Sequence, residues 1–439
     1  MSERVRTETA APISDAKRNK GRLPATVSKR RVLNVVHYPI AGGPHNRIAR
    51  LAAPLAKRGW ETIALIPKET GNAAQRLRAG GVEFEQLRLH RLRGVVSLSA
   101  HVAWASAFWP EVLAVKNLIQ CKAVDLVVVC GLANSQSAIA ARLAGVPVVW
   151  QITDSRAPRA FRATMMILVR RLASAVMLNG PSLAGLYKTE TIQQPVFCYF
   201  PPVDTRLLRP SNERREATRE RLGIPQDALV VGTVANINPM KGLEYFVKAA
   251  QLVYKALPKS WFVVVGSDYD THREYSRKIR EEIRQGIVPD ARFVFCGSRS
   301  DVENVYPALD VKLITSVPGS EGTTTTALEA GACGIPVVAT DVGAVRDAVL
   351  NGINGFTVQP LDPEALADKT ILLLRNSDLR ARIGSTARSV AVQRFDVDVC
   401  AEIHDHAFKA ALGFRARKHA QSRGPSDMAG PQTPDCFPL

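Results

Sequence analysis

Lys241 stands at the start of a helical pattern, just past an apolar run, in the segment Gly232-Thr-Val-Ala-Asn236-Ile-Asn-Pro-Met-Lys241-Gly242. An ammonium beside a helix N-terminus can stabilise a negatively charged leaving group such as a diphosphate. A second segment runs Ser320-Glu321-Gly322-Thr323-Thr324-Thr325-Thr326-Ala327-Leu328-Glu329. On a continuous helix the offset from Glu321 to Glu329 is just over two turns, so both carboxylates would point the same way. Carboxylates accept paired hydrogen bonds from sugar hydroxyls. The four successive threonines are poor helix formers, and Thr323, Thr324 and Thr325 can offer hydroxyls and N–H groups to a phosphate. A third segment, Ala41-Gly42-Gly43-Pro44, lets backbone come close to a ligand at a helix start; the same dipeptide also makes an ordinary strand-to-helix turn. In the fourth, Val149-Trp150-Gln151-Ile152-Thr153-Asp154, the final Asp154 either faces a cleft or caps the next helix.

Other patterns carry less. Asp396-Val397-Asp398 has the spacing of a metal-binding pair but precedes an amphipathic helix, where N-capping is the expected role. His404 and His406, two positions apart, diverge on a helix. No GxxxxGK[ST] or GxGxxG sequence is present, so neither nucleotide hydrolysis nor a dinucleotide fold is supported. No metal site is expected.

The elements that must position these residues are short apolar runs alternating with amphipathic stretches. Runs at 31–37, 61–67, 125–130, 146–150, 229–234, 261–266, 292–297, 310–315 and 335–340 have strand length. Continuous apolar strands separated by helices predict parallel sheets covered on both faces. Ile48, Leu51, Ala52 and Leu55 form one helical face, and Leu243, Phe246, Val247 and Ala250 another. The pattern occurs twice, on either side of a Pro-rich stretch at 191–215 that reads as a hinge. The expected fold class is therefore α/β, with two doubly wound, Rossmann-like domains facing across a cleft. The expected layout is a disordered basic tail at 1–30, a first domain at 31–203, a second at 204–395, a helix crossing back to the first at 396–413, and a disordered tail at 414–439.

The net charge of +18 is unevenly spread: residues 32–203 carry +11 and residues 204–413 carry −1. A one-sided basic field suits an anionic partner. The stretch 155–178, with Arg156, Arg159, Arg162, Arg170 and Arg171 among apolar residues, is of a kind that lies on an anionic membrane surface. Nucleic acid is not an expected partner, because interleaved aromatics and a recognisable binding module are both missing. Seven cysteines without a CxxC pair predict reduced thiols rather than disulfides or zinc. The polar N-terminus has no apolar signal core and no apolar run reaches spanning length. The expected location is the cytoplasm, with a peripheral hold on the inner face of the cytoplasmic membrane.

Residues 31–412 resemble the GT4-like family of GT-B retaining glycosyltransferases (glycosyltransferase group 1). The resemblance is diffuse in the first half and specific at EGTTTTALEAGACGIPVVATDVGAVRDAVLNGINGFTVQPLDPEAL, which is similar to the family's EX7E block and the segments after it. VVGTVANINPMKGLEYFVKAA is similar to its lysine segment. The resemblance implies transfer of a sugar from a nucleotide-diphosphate sugar to a glycan or lipid-linked acceptor, with retention and with no metal or other cofactor. It implies that Lys241 contacts the donor diphosphate, with Gly242 beside it. Glu329 would hold the ribose and Glu321 the transferred sugar, Gly297 and Ser298 would cradle the base, and Gly42 and Gly43 would line the diphosphate. Gly322 and the threonines complete the pocket. Two positions depart from the pattern: Asn236 stands where an arginine is usual, with Arg299 a possible replacement cation, and Gln151 or Thr153 stands where a histidine is common. A nucleotide-sugar epimerase or hydrolase, or a non-catalytic relative, is the alternative reading.

Overall fold

The computed structural model describes residues 29–90, 98–153, 157–268, 270–320, 322 and 324–421. Of the tails expected at 1–30 and 414–439, residues 1–28 and 422–439 lie outside these residues, while Arg30 opens the first strand and 414–421 are helical. Strands β1 (Arg30–Val35), β2 (Trp60–Pro67), β3 (Glu83–Leu87), β4 (Leu126–Cys130), β5 (Val148–Ile152), β6 (Ala175–Asn179) and β7 (Val196–Tyr199) form one sheet. Strands β8 (Leu229–Val234), β9 (Ser260–Val265), β10 (Phe293–Phe295), β11 (Val311–Ile314), β12 (Val337–Thr340) and β13 (Gly355–Val358) form another. Among the described residues every ladder in both sheets is parallel.

The orders are β3-β2-β1-β4-β5-β6-β7 and β10-β9-β8-β11-β12-β13. Each sheet winds outward from its first strand and then crosses back, so the order reverses between β1 and β4 and between β8 and β11. Ligands of such sheets bind beyond the carboxyl ends of the strands at those reversals. The central strands read as uninterrupted apolar runs because both faces are covered: Val127, Val128 and Val129 of β4 are all fully buried. Asp310 anchors the second sheet. It accepts from Arg215 at 2.8 Å, from Arg219 at 2.9 Å and from the Val230 amide at 2.7 Å.

The stretch expected as a hinge divides differently. Val196–Tyr199 is the edge strand β7, and Asn212–Arg221 is a helix capped by Ser211. The run Val-Phe-Cys-Tyr is too short to stand out between prolines, yet it pairs with β6 along its whole length. At the crossing point Val203 exchanges backbone hydrogen bonds with the returning chain, donating to Phe395 O at 2.7 Å and accepting from Val397 N at 3.1 Å. The returning helix, Val397–Gln421, continues past the expected end at 413. It seats Cys400, Ala401, Ala407, Phe408 and Ala411 among Val32, Val36 and Leu51 of the first domain.

Candidate functional site

The loop after β8 is built around Gly242, whose φ is +59°. A Cβ there would stand 2.3 Å from the Thr315 carbonyl oxygen, so only glycine lets this loop lie against the end of β11. Lys241 closes the short 3-10 turn Pro239–Lys241, and its carbonyl accepts from the Thr315 hydroxyl at 2.9 Å. Lys241 is thereby held at the mouth of a crevice of about 420 Å³. Asn236, Ser298, Thr324, Thr325 and, from the first domain, Gly43 line the same crevice. Residues far apart in the chain therefore meet beyond the carboxyl ends of the second sheet.

The Gly43–Ala56 helix brings Gly43 to this place, with Pro44 in its first turn and Ile48, Leu51 and Leu55 buried beneath. A Cβ at Gly42 or Gly43 would meet nothing within 4 Å. The chain itself thus has no steric need of glycine at either position, and the open space over both is what a ligand lying against backbone requires. Gly42 does not line the crevice; its N–H donates to His45 Nδ1 at 3.3 Å. Gly297, with φ +64°, is spent on a turn whose carbonyl accepts from Gly266 N at 2.9 Å, and it puts the next residue, Ser298, on the crevice wall. Gly322 packs toward the first domain, where its added Cβ would lie 3.3 Å from Thr153 O.

Glu321, Thr323 and Asp154 lie outside the described residues. The helix carrying Glu329 is Thr325–Ala332, so the two-turn spacing from Glu321 to Glu329 is not a spacing along this helix. Four threonines in a row delay its start, as their low helix propensity dictates. Glu329 itself is buried and does not line the crevice. Its carboxylate pairs with Arg50 of the first domain at 2.7 Å and accepts from the Tyr306 hydroxyl at 3.0 Å. Burial and the nearby Glu329 charge together push the Tyr306 phenol well above its ordinary range.

Arg299 lines the crevice but is engaged by Asp301 through bonds of 2.7 and 2.5 Å. That guanidinium holds the Asp301 carboxyl down at about 2. Gln151 is not at the cleft at all. It is fully buried, with its amide nitrogen 3.3 Å from His404 Nε2 and its oxygen accepting from Cys130 at 3.4 Å. His404 in turn donates from Nδ1 to Cys400 O at 2.7 Å, which makes it a core histidine. Asp396 caps the returning helix, accepting from Asp398 N at 2.9 Å and from Thr205.

Sequence reading missed Thr233, Gly266, Thr315, Ser316 and Thr326 as lining residues and Arg50 as the partner of Glu329. Those residues except Arg50 sit at strand ends or a helix start, a position that could have flagged them. Nothing local marks Arg50. A second link between the halves is made by Asp347, which accepts from Ser182 N at 2.9 Å and from the Ser182 hydroxyl.

Comparison with known proteins places this geometry in context. Residues 214–390 match the family model described as glycosyl transferases group 1, and residues 42–196 match the glycosyl transferase 4-like domain. A D-inositol 3-phosphate glycosyltransferase of Saccharomonospora viridis is 32% identical over 55% of this chain and 57% of its own length. The lipopolysaccharide core biosynthesis mannosyltransferase LpsB of Rhizobium meliloti is 27% identical over 50% of this chain and 56% of its own. The chain thus spans about half the length of the curated relatives it matches. Among solved structures, Anabaena HepE in complex with UDP and glucose superposes with a TM-score of 0.69 at 22% identity, covering 85% of this chain and 98% of HepE. At that identity the likeness concerns the fold: two Rossmann-like domains in the GT-B arrangement.

Proposed function

The chain belongs to the group 1, GT4-like family of glycosyl transferases, and from that premise we propose that it moves a sugar from a nucleotide-diphosphate sugar to an acceptor hydroxyl with retention of configuration. The observation that carries this reading is the meeting of Lys241, the Thr324–Thr325 helix start and Gly43 of the opposite domain on one crevice. Cationic and N–H groups fixed in advance stabilise charge as it develops on a leaving diphosphate.

In this reaction the bond between the anomeric carbon and the diphosphate oxygen breaks as the acceptor oxygen bonds to the same face of that carbon. The acceptor proton passes to the departing phosphate oxygen. Lys241 faces the diphosphate, Gly43 gives it backbone room with Gly42 shaping the turn before it, and Ser298 flanks the base with Gly297 setting its turn. Glu329, set back from the crevice and held by Arg50 and Tyr306, is assigned the ribose on the family pattern. Glu321 is assigned the transferred sugar and Asp154 the acceptor side. Leaving-group charge is met by side chains and amides, so no metal is needed.

The acceptor is proposed to be a phosphorylated or lipid-linked glycan precursor, in keeping with the basic first domain and with relatives named for inositol phosphate and lipopolysaccharide core. A peripheral membrane hold is supported by two helices. Leu98–Cys121 exposes Val102, Trp109 and Leu113, and Arg159–Leu172 exposes Ile167 together with Arg159, Arg170 and Arg171. No helix among the described residues is long and apolar enough to cross a membrane. Co-sedimentation with anionic vesicles at low salt checks this hold, and its absence removes the membrane part alone.

The donor reading is tested by a thermal-shift screen of UDP, GDP and ADP and their sugars, since a ligand stabilises the state that binds it. Stabilisation by one diphosphate, with sugar turnover only when an acceptor is added, supports transfer. Turnover without an acceptor identifies an epimerase or hydrolase, and stabilisation without any turnover a non-catalytic relative.

A further inference from the structure

We infer that His90 is an acceptor-recognition residue of the first domain: its imidazole, held by the buried Glu111, takes a hydrogen bond from a hydroxyl of a polyol acceptor. This inference rests on the transferase reading and deepens it, naming a residue and a ligand class for the acceptor side.

His90 stands three residues past the end of β3, and its side chain is 45% exposed. Glu111, on the helix Leu98–Cys121, is buried. Its Oε1 accepts from the His90 backbone N–H at 2.8 Å and lies 2.5 Å from His90 Nδ1. Gln136 is fully buried in the first turn of the helix Ser135–Leu143. Its Nε2 donates to His90 O at 3.2 Å and reaches Glu111 Oε2 at 3.5 Å. Two helices and a strand end thus converge on one exposed ring. The place is the order reversal of the first sheet: Asn134, at the end of the loop after β4, donates to Val35 O of β1 at 3.3 Å. Ligands of such sheets bind at that reversal, and the chain leaving β1 runs on to Gly43 at the crevice.

Removing a carboxylate from water is unfavourable unless it is well paired. Here the pairing goes to a ring that packing does not need, since nearly half of it meets solvent. What the pair does fix is the ring's tautomer and aim. With Nδ1–H directed at Glu111, Nε2 is left with a lone pair on the opposite side of the ring. A lone pair accepts, and a hydroxyl is the group that gives. The neighbours suit the same chemistry. Asn134 occupies the N-cap position of its helix but makes no capping bond, and Asn134 Oδ1 and Gln136 Oε1 are buried without a hydrogen-bond partner among the described residues. Unpaired buried acceptors cost stability and call for an explanation. Acceptor atoms grouped beside a carboxylate favour hydroxyl donors and disfavour a phosphate, so any phosphate of the acceptor belongs elsewhere on the basic first domain.

The test is a saturation-transfer NMR titration of the full chain with myo-inositol and methyl α-mannoside, run beside inorganic phosphate. The parent is expected to bind a polyol. His90→Ala is expected to weaken that binding about tenfold, the scale of one lost hydrogen bond, with the melting temperature and the nucleoside-diphosphate affinity unchanged. Glu111 acts through the ring as a positioning residue. Glu111→Gln is therefore expected to weaken polyol binding severalfold in the parent and to add nothing in the His90→Ala background. A purely structural Glu111 would cost as much in either background. Unchanged polyol affinity in His90→Ala, additive losses in the double variant, or a parent that binds phosphate but no polyol overturns the proposal. A parent that binds polyol through His90 while no nucleoside diphosphate stabilises it defeats the transferase reading instead and leaves His90 a polyol site.

Discussion

Arg50 Nη2 and Glu329 Oε1 stand 2.7 Å apart and tie the first domain to the second across the cleft. Arg50 also donates to Pro202 O at 2.9 Å, so one side chain spans the hinge and the facing helix. The carboxylate is nearly buried while the guanidinium keeps some solvent contact, with side-chain exposures of 8% and 22%. Arg50→Ala is expected to cost about 1–3 kcal/mol, between the values for exposed and buried pairs. Small-angle scattering should show a larger radius of gyration as the halves part; an unchanged radius and unchanged denaturation midpoint would refute the clasp.

Lys241→Ala is expected to lower sugar-transfer turnover by about two orders of magnitude, as loss of a preorganised charge-stabilising group does. The variant keeps the backbone carbonyl that accepts from Thr315, so the loop's bond to the end of β11 remains. Parent-like turnover in this variant removes Lys241 from the mechanism.

Two glycines should respond in opposite ways. Gly43→Ala puts a methyl into open space and is expected to leave the melting temperature unchanged while weakening nucleotide-diphosphate binding. Gly242→Ala forces a left-handed backbone and a contact with Thr315 O, and is expected to destabilise by about 1–3 kcal/mol. Paired melting and titration curves separate the two. Equal loss of stability in both variants would show that Gly43 is a folding residue.

His404 makes acid stability measurable. Burial foremost, then the Arg47 guanidinium, lowers its pKa to about 3, against the backbone bond to Cys400 O. Its ring also faces Tyr199, Phe408 and Gln151. The unfolded chain takes up a proton near pH 6.5 that the folded chain refuses until about pH 3. The contribution is thus complete above pH 6.5 and falls with pH through that window, at up to about 1.4 kcal/mol per pH unit for one proton. Urea midpoints measured from pH 7 to 4 should fall more steeply in the parent than in His404→Leu; parallel slopes would contradict the assignment.

Much of the scaffold was legible in the sequence because central parallel strands are apolar on both faces, as β4 and β8 are. Both edge strands of the first sheet escaped for the same reason in reverse: Glu-Phe-Glu-Gln-Leu of β3 is half polar, and β7 is four residues hidden between prolines. Lys241, Asn236, Ser298, Thr324, Thr325 and Gly43 could be named because each sits at a strand end or helix start, where the topology sends ligands. Gln151, one of the two positions where a histidine is common in the family, is turned by alternation along β5 toward His404 in the core. Arg50 carries no local mark at all, since its meaning depends on Glu329, a partner distant in the chain.

The returning helix Val397–Gln421 has a consequence for biogenesis. Its Cys400, Ala401, Ala407, Phe408 and Ala411 complete the apolar layer over one face of the first sheet. A ribosome releases all seven strands of that sheet well before it releases their cover. The nascent first half must therefore keep part of that face bare while the second half is made.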